Sequence, residues 1–155
     1  MITLERVGVY VITLSSAFME QICREGEQAY PNECCGVLYG TLGEDGNKTV
    51  AELEAIPNSS ESGEQFHRFL ITPEIMLDCE RKARSRKQDI VGFYHSRPDC
   101  AADASEYDRA RALPVYSYII TSVINRSAVD TKSWQLEDNG ESYIFKQEQI
   151  WQQPF

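Results

Sequence analysis

The chain has 155 residues and a net charge of −9, with 42% hydrophobic and 25% charged residues, a composition that predicts a single globular domain over residues 1–155. The acidic balance argues against nucleic acid or an anionic membrane as a partner, and no apolar run approaches the roughly 20 residues of a membrane-spanning helix. Five irregularly spaced cysteines without a CxxC pair predict no disulfide framework and favour a reducing, cytoplasmic location.

The first predicted elements are a strand and a helix. The segment VGVYVITLS (7–15) is rich in β-branched residues, which predicts a strand. Ser15 or Ser16 can then cap a helix that runs to about Tyr30, where a proline follows and stops it.

The remaining elements are predicted from capping residues, periodicity and turn residues. Thr72 and Pro73 indicate the start of a second helix that runs to about Lys87. A short third helix is predicted over residues 105–113, and a polar loop over residues 59–65 is a candidate flap over a bound substrate. The predicted strands are residues 34–42, 48–58, 67–71, 89–95 and 116–124, and two strands that flank the hairpin signal Asn139–Gly140. This order predicts an α/β or α+β fold, with a mixed, mostly antiparallel sheet flanked by helices.

His95 ends a predicted strand and precedes a proline-containing loop over residues 97–104. Strand ends of this kind commonly carry functional side chains. A histidine and an aspartate that the loop brings together, His95 and Asp108, could be two ligands of a zinc ion, with Ser105 nearby as a hydrogen-bond donor. Alternatively, SEYD (105–108) is a capping box, which would explain Ser105 and Asp108 by helix initiation alone. For the other histidine, His67, a surface or strand-edge role is favoured.

Two motifs resemble those of a known family. The pattern H-x-R-P, six residues and then S-x-x-D, is similar to the H-x-H-P and S-x-x-D signature of the JAMM (MPN+) zinc-dependent isopeptidases. The segment PNECCGVLYG (31–40) resembles the part of that family that carries an upstream glutamate. The resemblance is to small prokaryotic members of the Mov34/MPN/PAD-1 type and extends over about residues 7–150. It implies a JAMM/MPN-like domain.

The resemblance also implies roles for individual residues. His95 and Asp108 fall on zinc-ligand positions, Glu33 on the general base that takes a proton from the zinc-bound water, and Ser105 on the residue that stabilises the developing oxyanion. The implied activity is hydrolysis at the C-terminal tail of a ubiquitin-like or sulfur-carrier protein in the cytoplasm. The alternative is a catalytically inactive, metal-free binding module of MPN type.

Arg97 departs from the family pattern, because it stands where the family carries its second histidine ligand. A guanidinium group stays protonated and has no lone pair for a metal, so zinc is expected to be weakly bound or absent. Three alternatives remain open. Cys100 could supply a thiolate ligand, Arg97 could turn outward and leave a weakened site at His95 and Asp108, or Arg97 could pair with Asp108 and Glu33 and replace the charge of the metal.

Overall fold

The computed structural model describes residues 10–58 and 71–154. The described elements, in chain order, are β1 (Val11–Ser15), α1 (Ser16–Ala29), β2 (Cys35–Leu42), β3 (Lys48–Ile56), α2 (Pro73–Ser85), β4 (Asp89–Pro98), α3 (Glu106–Arg111), β5 (Ser117–Ile124), β6 (Ser127–Asp138) and β7 (Tyr143–Gln153). The predicted flap over residues 59–65 and His67 lie outside the described residues, as does most of the predicted strand 67–71.

The starts of the two long helices are confirmed by their caps. The Ser15 hydroxyl accepts a hydrogen bond from the backbone N–H of Phe18 at 3.1 Å, so α1 begins where predicted. The Thr72 hydroxyl accepts one from the N–H of Ile75 at 3.3 Å, and Pro73 occupies the first turn of α2. Both helices therefore begin where side-chain chemistry satisfies free backbone donors.

The seven described strands form a closed barrel in the order β1-β3-β2-β4-β5-β6-β7. Four of the strand pairings are antiparallel and three are parallel, so the predicted mixed sheet is confirmed. The closure of this sheet into a barrel was not predicted: the sequence indicated a mixed sheet flanked by helices and gave no sign that its edges join. Closure results from the parallel pairing of β1 with β7, from Val11 with Gln149 to Ser15 with Gln153. That pairing joins segments far apart in the chain, and local hydrophobic patterns carry no information about such partners.

Both faces of the sheet are covered by apolar contacts. On one face, Ile22 of α1 packs in a cluster with residues of five strands, among them Leu38 and Ile119. On the other face, Cys79 and Ala83 of α2 pack in a second cluster that includes Phe93 and Tyr118. The strand β4 contributes to both clusters, which fixes it firmly between the helices.

A buried polar network links four strands. The Lys48 ammonium donates to the Ser117 hydroxyl at 2.8 Å and to Gln135 Oε1 at 3.2 Å, and it lies 3.9 Å from Glu148 Oε2. The Ser133 hydroxyl donates to Glu148 Oε1 at 2.6 Å. Burial lowers the pKa of Lys48, and the charge of Glu148 only partly opposes this. The network thus buries a lysine and a glutamate side chain together inside the fold.

None of the described helices is long and apolar enough to span a membrane. All five cysteines are free, as the sequence predicted. Burial raises the pKa of Cys34 to about 11 and that of Cys35 to about 12. Near neutral pH both groups are thiols, which are poor nucleophiles.

Candidate active site

Glu33 lies between α1 and β2, and two sets of contacts hold its backbone in place. The side-chain amide of Asn58 donates to the Glu33 carbonyl at 3.1 Å. The next residue, Cys34, exchanges hydrogen bonds with Ser96: its N–H donates to the Ser96 hydroxyl at 2.9 Å, and its carbonyl accepts from the Ser96 N–H at 3.1 Å. The Glu33 side chain is 6% exposed. These contacts fix Glu33 beside β4.

His95 lies in β4, where it pairs with Cys35 of β2 on one side and with Ile120 of β5 on the other. Its ring is almost fully buried. Nδ1 lies 3.5 Å from Glu33 Oε1, and Nε2 lies 3.3 Å from Asp108 Oδ1. The structure therefore brings together Glu33, His95 and Asp108, with one carboxylate at each edge of the imidazole.

The capping-box interpretation of Ser105 and Asp108 is confirmed. The Asp108 N–H donates to the Ser105 hydroxyl at 3.1 Å, and the Ser105 N–H donates to Asp108 Oδ2 at 2.8 Å, at the first turn of α3. The other carboxylate oxygen of Asp108 faces His95. Asp108 can therefore cap α3 and belong to the site at the same time, because one carboxylate oxygen contacts Ser105 and the other contacts His95.

The three side chains differ in their proton affinities. Burial raises the pKa of Glu33 from 4.5 to about 7; the charge of His95 opposes this, and that of Asp108 adds to it. Burial would lower the pKa of His95, but its hydrogen bond to Asp108 and the charges of both carboxylates outweigh burial and raise that pKa. Burial would raise the pKa of Asp108, yet its contacts with His95 bring it down to about 2. Near neutral pH Asp108 is ionised, while Glu33 can both accept and donate a proton.

Arg97 lies within β4 rather than in the predicted loop 97–104. The strand continues through Pro98, and Arg97 pairs with Ser122 of β5. Its guanidinium donates from Nη1 to the carbonyl of Asp103 at 2.6 Å. In residues 10–58 and 71–154, no ion pair joins Arg97 to Glu33 or Asp108. The structure therefore does not show Arg97 paired with both acids: its guanidinium is held by the loop, and its charge only opposes the rise in the pKa of Glu33.

Cys100 does not complete a metal site. It is exposed, and its carbonyl accepts a hydrogen bond from the Ser122 hydroxyl at 2.5 Å. Within the described part of the chain, no group of three or more His, Cys, Asp or Glu side chains is arranged to hold a metal ion. The substitute-ligand alternative is thus not supported.

The donor set fits a zinc ion at two positions only. Two ligand atoms about 2.1 Å from one tetrahedral zinc lie roughly 3.4 Å apart. The separation of His95 Nε2 and Asp108 Oδ1 is 3.3 Å, close to that value. Glu33 lies at the opposite edge of the imidazole, and Arg97 offers no lone pair. The described side chains therefore fall one ligand short of the three that catalytic zinc sites use.

Two residues that support the site were not singled out from the sequence. Ser96 holds the segment that carries Glu33, although its partner Cys34 lies 62 residues earlier in the chain. Asn58 holds the carbonyl of Glu33 from the end of the segment after β3. Ser96 fills only the variable position of the H-x-R-P pattern and Asn58 belongs to neither motif, so their tasks are visible only in the folded chain.

Comparison with known proteins agrees with the motifs. Residues 15–137 match a family described as prokaryotic homologs of the JAB domain. The chain is 37% identical over 93 residues to the desampylase of Haloferax volcanii, a match that covers 59% of this chain and 63% of the relative. The chain thus spans less than two thirds of the length of that curated relative.

Solved structures resemble the whole described fold. A protein from Desulfitobacterium hafniense, known from a solution structure, superimposes with a TM-score of 0.77 at 28% identity, over 93% of this chain and 94% of that one. A protein from Salinibacter ruber gives a TM-score of 0.67 at 30% identity, over 92% and 91% of the two chains. The family match includes Glu33, His95, Arg97, Ser105 and Asp108. The resemblance drawn from the motifs is confirmed, and the chain belongs to the prokaryotic family of JAB-domain proteins.

Proposed function

We propose that the chain hydrolyses a peptide or isopeptide bond at the C-terminal tail of a ubiquitin-like or sulfur-carrier protein in the cytoplasm. The observation that carries this proposal is the arrangement of His95 with Glu33 at one edge of its ring and Asp108 at the other. Glu33 is buried, and its pKa is about 7. Membership of the JAB-domain family and the match to a desampylase support the same reaction and a ubiquitin-like modifier as substrate.

In this proposal each side chain has a separate role. Glu33 accepts a proton from the attacking water and passes it to the leaving amine. Ser105 accepts the Asp108 N–H with an oxygen lone pair, so its own hydroxyl proton remains available to the developing oxyanion. A zinc ion, when bound at His95 and Asp108, would supply a Lewis acid for the scissile carbonyl.

Arg97 makes the metal the weak part of this site. Two protein ligands hold zinc less tightly than three, and a fixed guanidinium nearby adds electrostatic repulsion toward a dication. The proposed enzyme is therefore slow unless zinc is supplied in excess.

Arg97 also favours a second candidate function, that of a binding module without catalysis. Because Arg97 removes a ligand, the chain could be a metal-free module that binds the carrier tail without cleaving it. Metal analysis of the purified protein distinguishes the two: near-stoichiometric zinc supports the enzyme, whereas metal-free, folded protein supports the module.

The direct test is cleavage of a ubiquitin-like protein extended at its C-terminus, followed by mass spectrometry with and without added zinc. We expect slow cleavage by the wild type that rises with zinc. Glu33→Gln is the matched control, because it keeps the shape of the side chain and loses the base. Arg97→His should cleave faster than the wild type. If neither the wild type nor Arg97→His cleaves with zinc in excess, the hydrolase proposal fails and the binding module remains.

A further inference from the structure

A pocket of about 330 Å³ lies beside Asp108, on the side of the sheet that carries α2. Its volume is at the lower end of those of small-molecule sites, which suits one residue of a ligand rather than a long peptide. Its wall consists almost entirely of apolar and aromatic side chains. The lining residues are Ile71, Met76, Phe93, Tyr107, Asp108, Arg111, Leu113 and Tyr118.

The floor of the pocket is built from rings that pack on one another. Phe93 stacks on Tyr118 with ring centroids 5.7 Å apart and meets Tyr116 edge-on at 5.3 Å. The Tyr118 hydroxyl accepts a hydrogen bond from the Leu113 N–H at 2.8 Å. The floor is therefore apolar except for this hydroxyl, whose own proton can still donate. Leu113, at the rim, is 54% exposed. A ligand that covers it would gain binding free energy by removing apolar surface from water.

Among the described residues, Arg111 is the one cation that lines the pocket. Its guanidinium lies 3.6 Å from the centre of the Tyr107 ring, and it forms no ion pair with any residue of 10–58 or 71–154. Its neighbour Arg109 is paired with Glu106 at 2.6 Å, and both oxygens of Asp108 are taken by His95 and Ser105. In a chain with a net charge of −9, Arg111 is thus a cation at an apolar pocket with no acidic partner in the described part of the chain.

We propose that this pocket binds a single C-terminal amino acid with a large apolar side chain, whose free carboxylate pairs with Arg111. The proposal rests on the function proposed above and specifies its substrate: a ubiquitin-like tail extended by one such residue through a peptide bond. The apolar floor suits the side chain, and a guanidinium is the preferred partner of a carboxylate. A lysine within a protein chain, joined through its side chain, would bring no free carboxylate to Arg111, because its carboxyl group is part of a peptide bond.

The reaction that follows is an ordinary hydrolysis. Water adds to the carbonyl carbon of the last peptide bond, the carbon–nitrogen bond breaks, and the amine leaves with a proton. The products are the tail with a new carboxylate and one free amino acid. No oxidant or reductant takes part.

The test measures binding of acetylated tail peptides to the full chain by calorimetry. One peptide ends in Gly-Gly-Leu with a free carboxylate, a second is the same peptide as its C-terminal amide, and a third ends in Gly-Gly-Ala. We expect the free acid to bind about tenfold more tightly than the amide, the ratio that a charge-assisted hydrogen bond provides. The alanine peptide should bind more weakly than the leucine peptide, because less apolar surface is buried.

Two arginine variants separate this pocket from general charge effects. Arg111→Gln should abolish the preference for the free acid over the amide. Arg109→Gln, two residues away on the same helix and paired with Glu106, should keep that preference. Equal binding of acid and amide by the wild type, or a preference that survives in Arg111→Gln, would overturn the proposal.

The same experiment distinguishes this proposal from the proposed function. If the unextended Gly-Gly tail binds as well as the leucine peptide, the pocket proposal is wrong while tail recognition stands. If acetyl-leucine binds in an Arg111-dependent manner but no tail peptide binds more tightly, the pocket stands and the carrier-tail function fails. If neither ligand binds, both are wrong.

Discussion

Removing the buried ammonium of Lys48 is expected to destabilise the barrel strongly. Lys48 and Glu148 are 2% and 4% exposed, and their charged atoms are 3.9 Å apart. In Lys48→Met, Glu148 loses its only nearby counter-charge among the described residues, and its Oε2 already has no hydrogen-bond partner there. Breaking a buried ion pair from one side costs about 3–5 kcal/mol. That is a large part of the roughly 5–15 kcal/mol by which folded domains are stable.

The assay is urea unfolding followed by circular dichroism, with a thermal scan as a second readout. The expected loss corresponds to a fall in Tm of about 6–20 °C for a chain of this size. Adding Glu148→Gln should recover most of the loss, because the uncompensated charge disappears while the bond from Ser133 is kept. Lys146→Met is the matched control: Lys146 pairs with Glu137 at 3.4 Å but is 55% exposed, so its removal should cost less than about 1 kcal/mol.

Two results would refute this reasoning. One is a Lys48→Met protein whose free energy of unfolding lies within about 1 kcal/mol of that of the wild type, because even an exposed ion pair can contribute that much. The other is a double variant with Glu148→Gln that is less stable than Lys48→Met alone. Either result would mean that the carboxylate of Glu148 does not carry a buried charge.

Three further predictions concern the candidate site. Arg97→His should raise zinc affinity by at least about 100-fold, because losing even a residue that only supports a metal ligand lowers metal affinity about 10–100-fold. Competition with a chelating dye measures the affinity, and Arg97→Gln should show no gain. In metal-free protein, the raised pKa of Glu33 contributes stability below about pH 4.5 that is lost as pH rises through about 7. The wild type should therefore lose about 2–3 kcal/mol relative to Glu33→Gln between pH 5 and 8 in urea titrations; parallel curves would contradict this. Ser105→Ala should lower stability by about 1 kcal/mol through loss of the cap of α3, and Ser105→Thr, which keeps the hydroxyl, should not lose as much in thermal unfolding.

Local chemistry made much of the fold predictable. Thr72 and Pro73 marked the start of α2 because a hydroxyl acceptor and a residue without an N–H both satisfy a helix terminus. The spacing of Ser105 and Asp108 likewise marked the capping box. Signals of this kind act over three or four residues, which is why they can be recognised in a sequence.

Features that depend on distant partners could not be predicted. Pro98 suggested that β4 ends before Arg97, but β5 offers a parallel partner to both residues, and a proline is tolerated at the end of a strand. The guanidinium of Arg97 could reach either the acids or the loop, and only the geometry at Asp103 decides between them. A residue's role in the site could be predicted where its chemical type decides that role. It could not be predicted for Arg97, whose role depends on which way its side chain points.

Barrel closure has a consequence for the order of folding during synthesis. The hydroxyl of Ser16 donates to the carbonyl of Gln153 at 2.8 Å, a contact between residues 137 positions apart, beside the pairing of β1 with β7. Contacts of such long sequence separation form late, because the entropy of closing a long loop opposes them. On the ribosome, β1 emerges long before β7; β3 can pair with one of its edges early, but the other edge stays open to pairing with other nascent chains until β7 arrives. Chaperone demand and aggregation in cells should therefore depend on how quickly β7 is delivered.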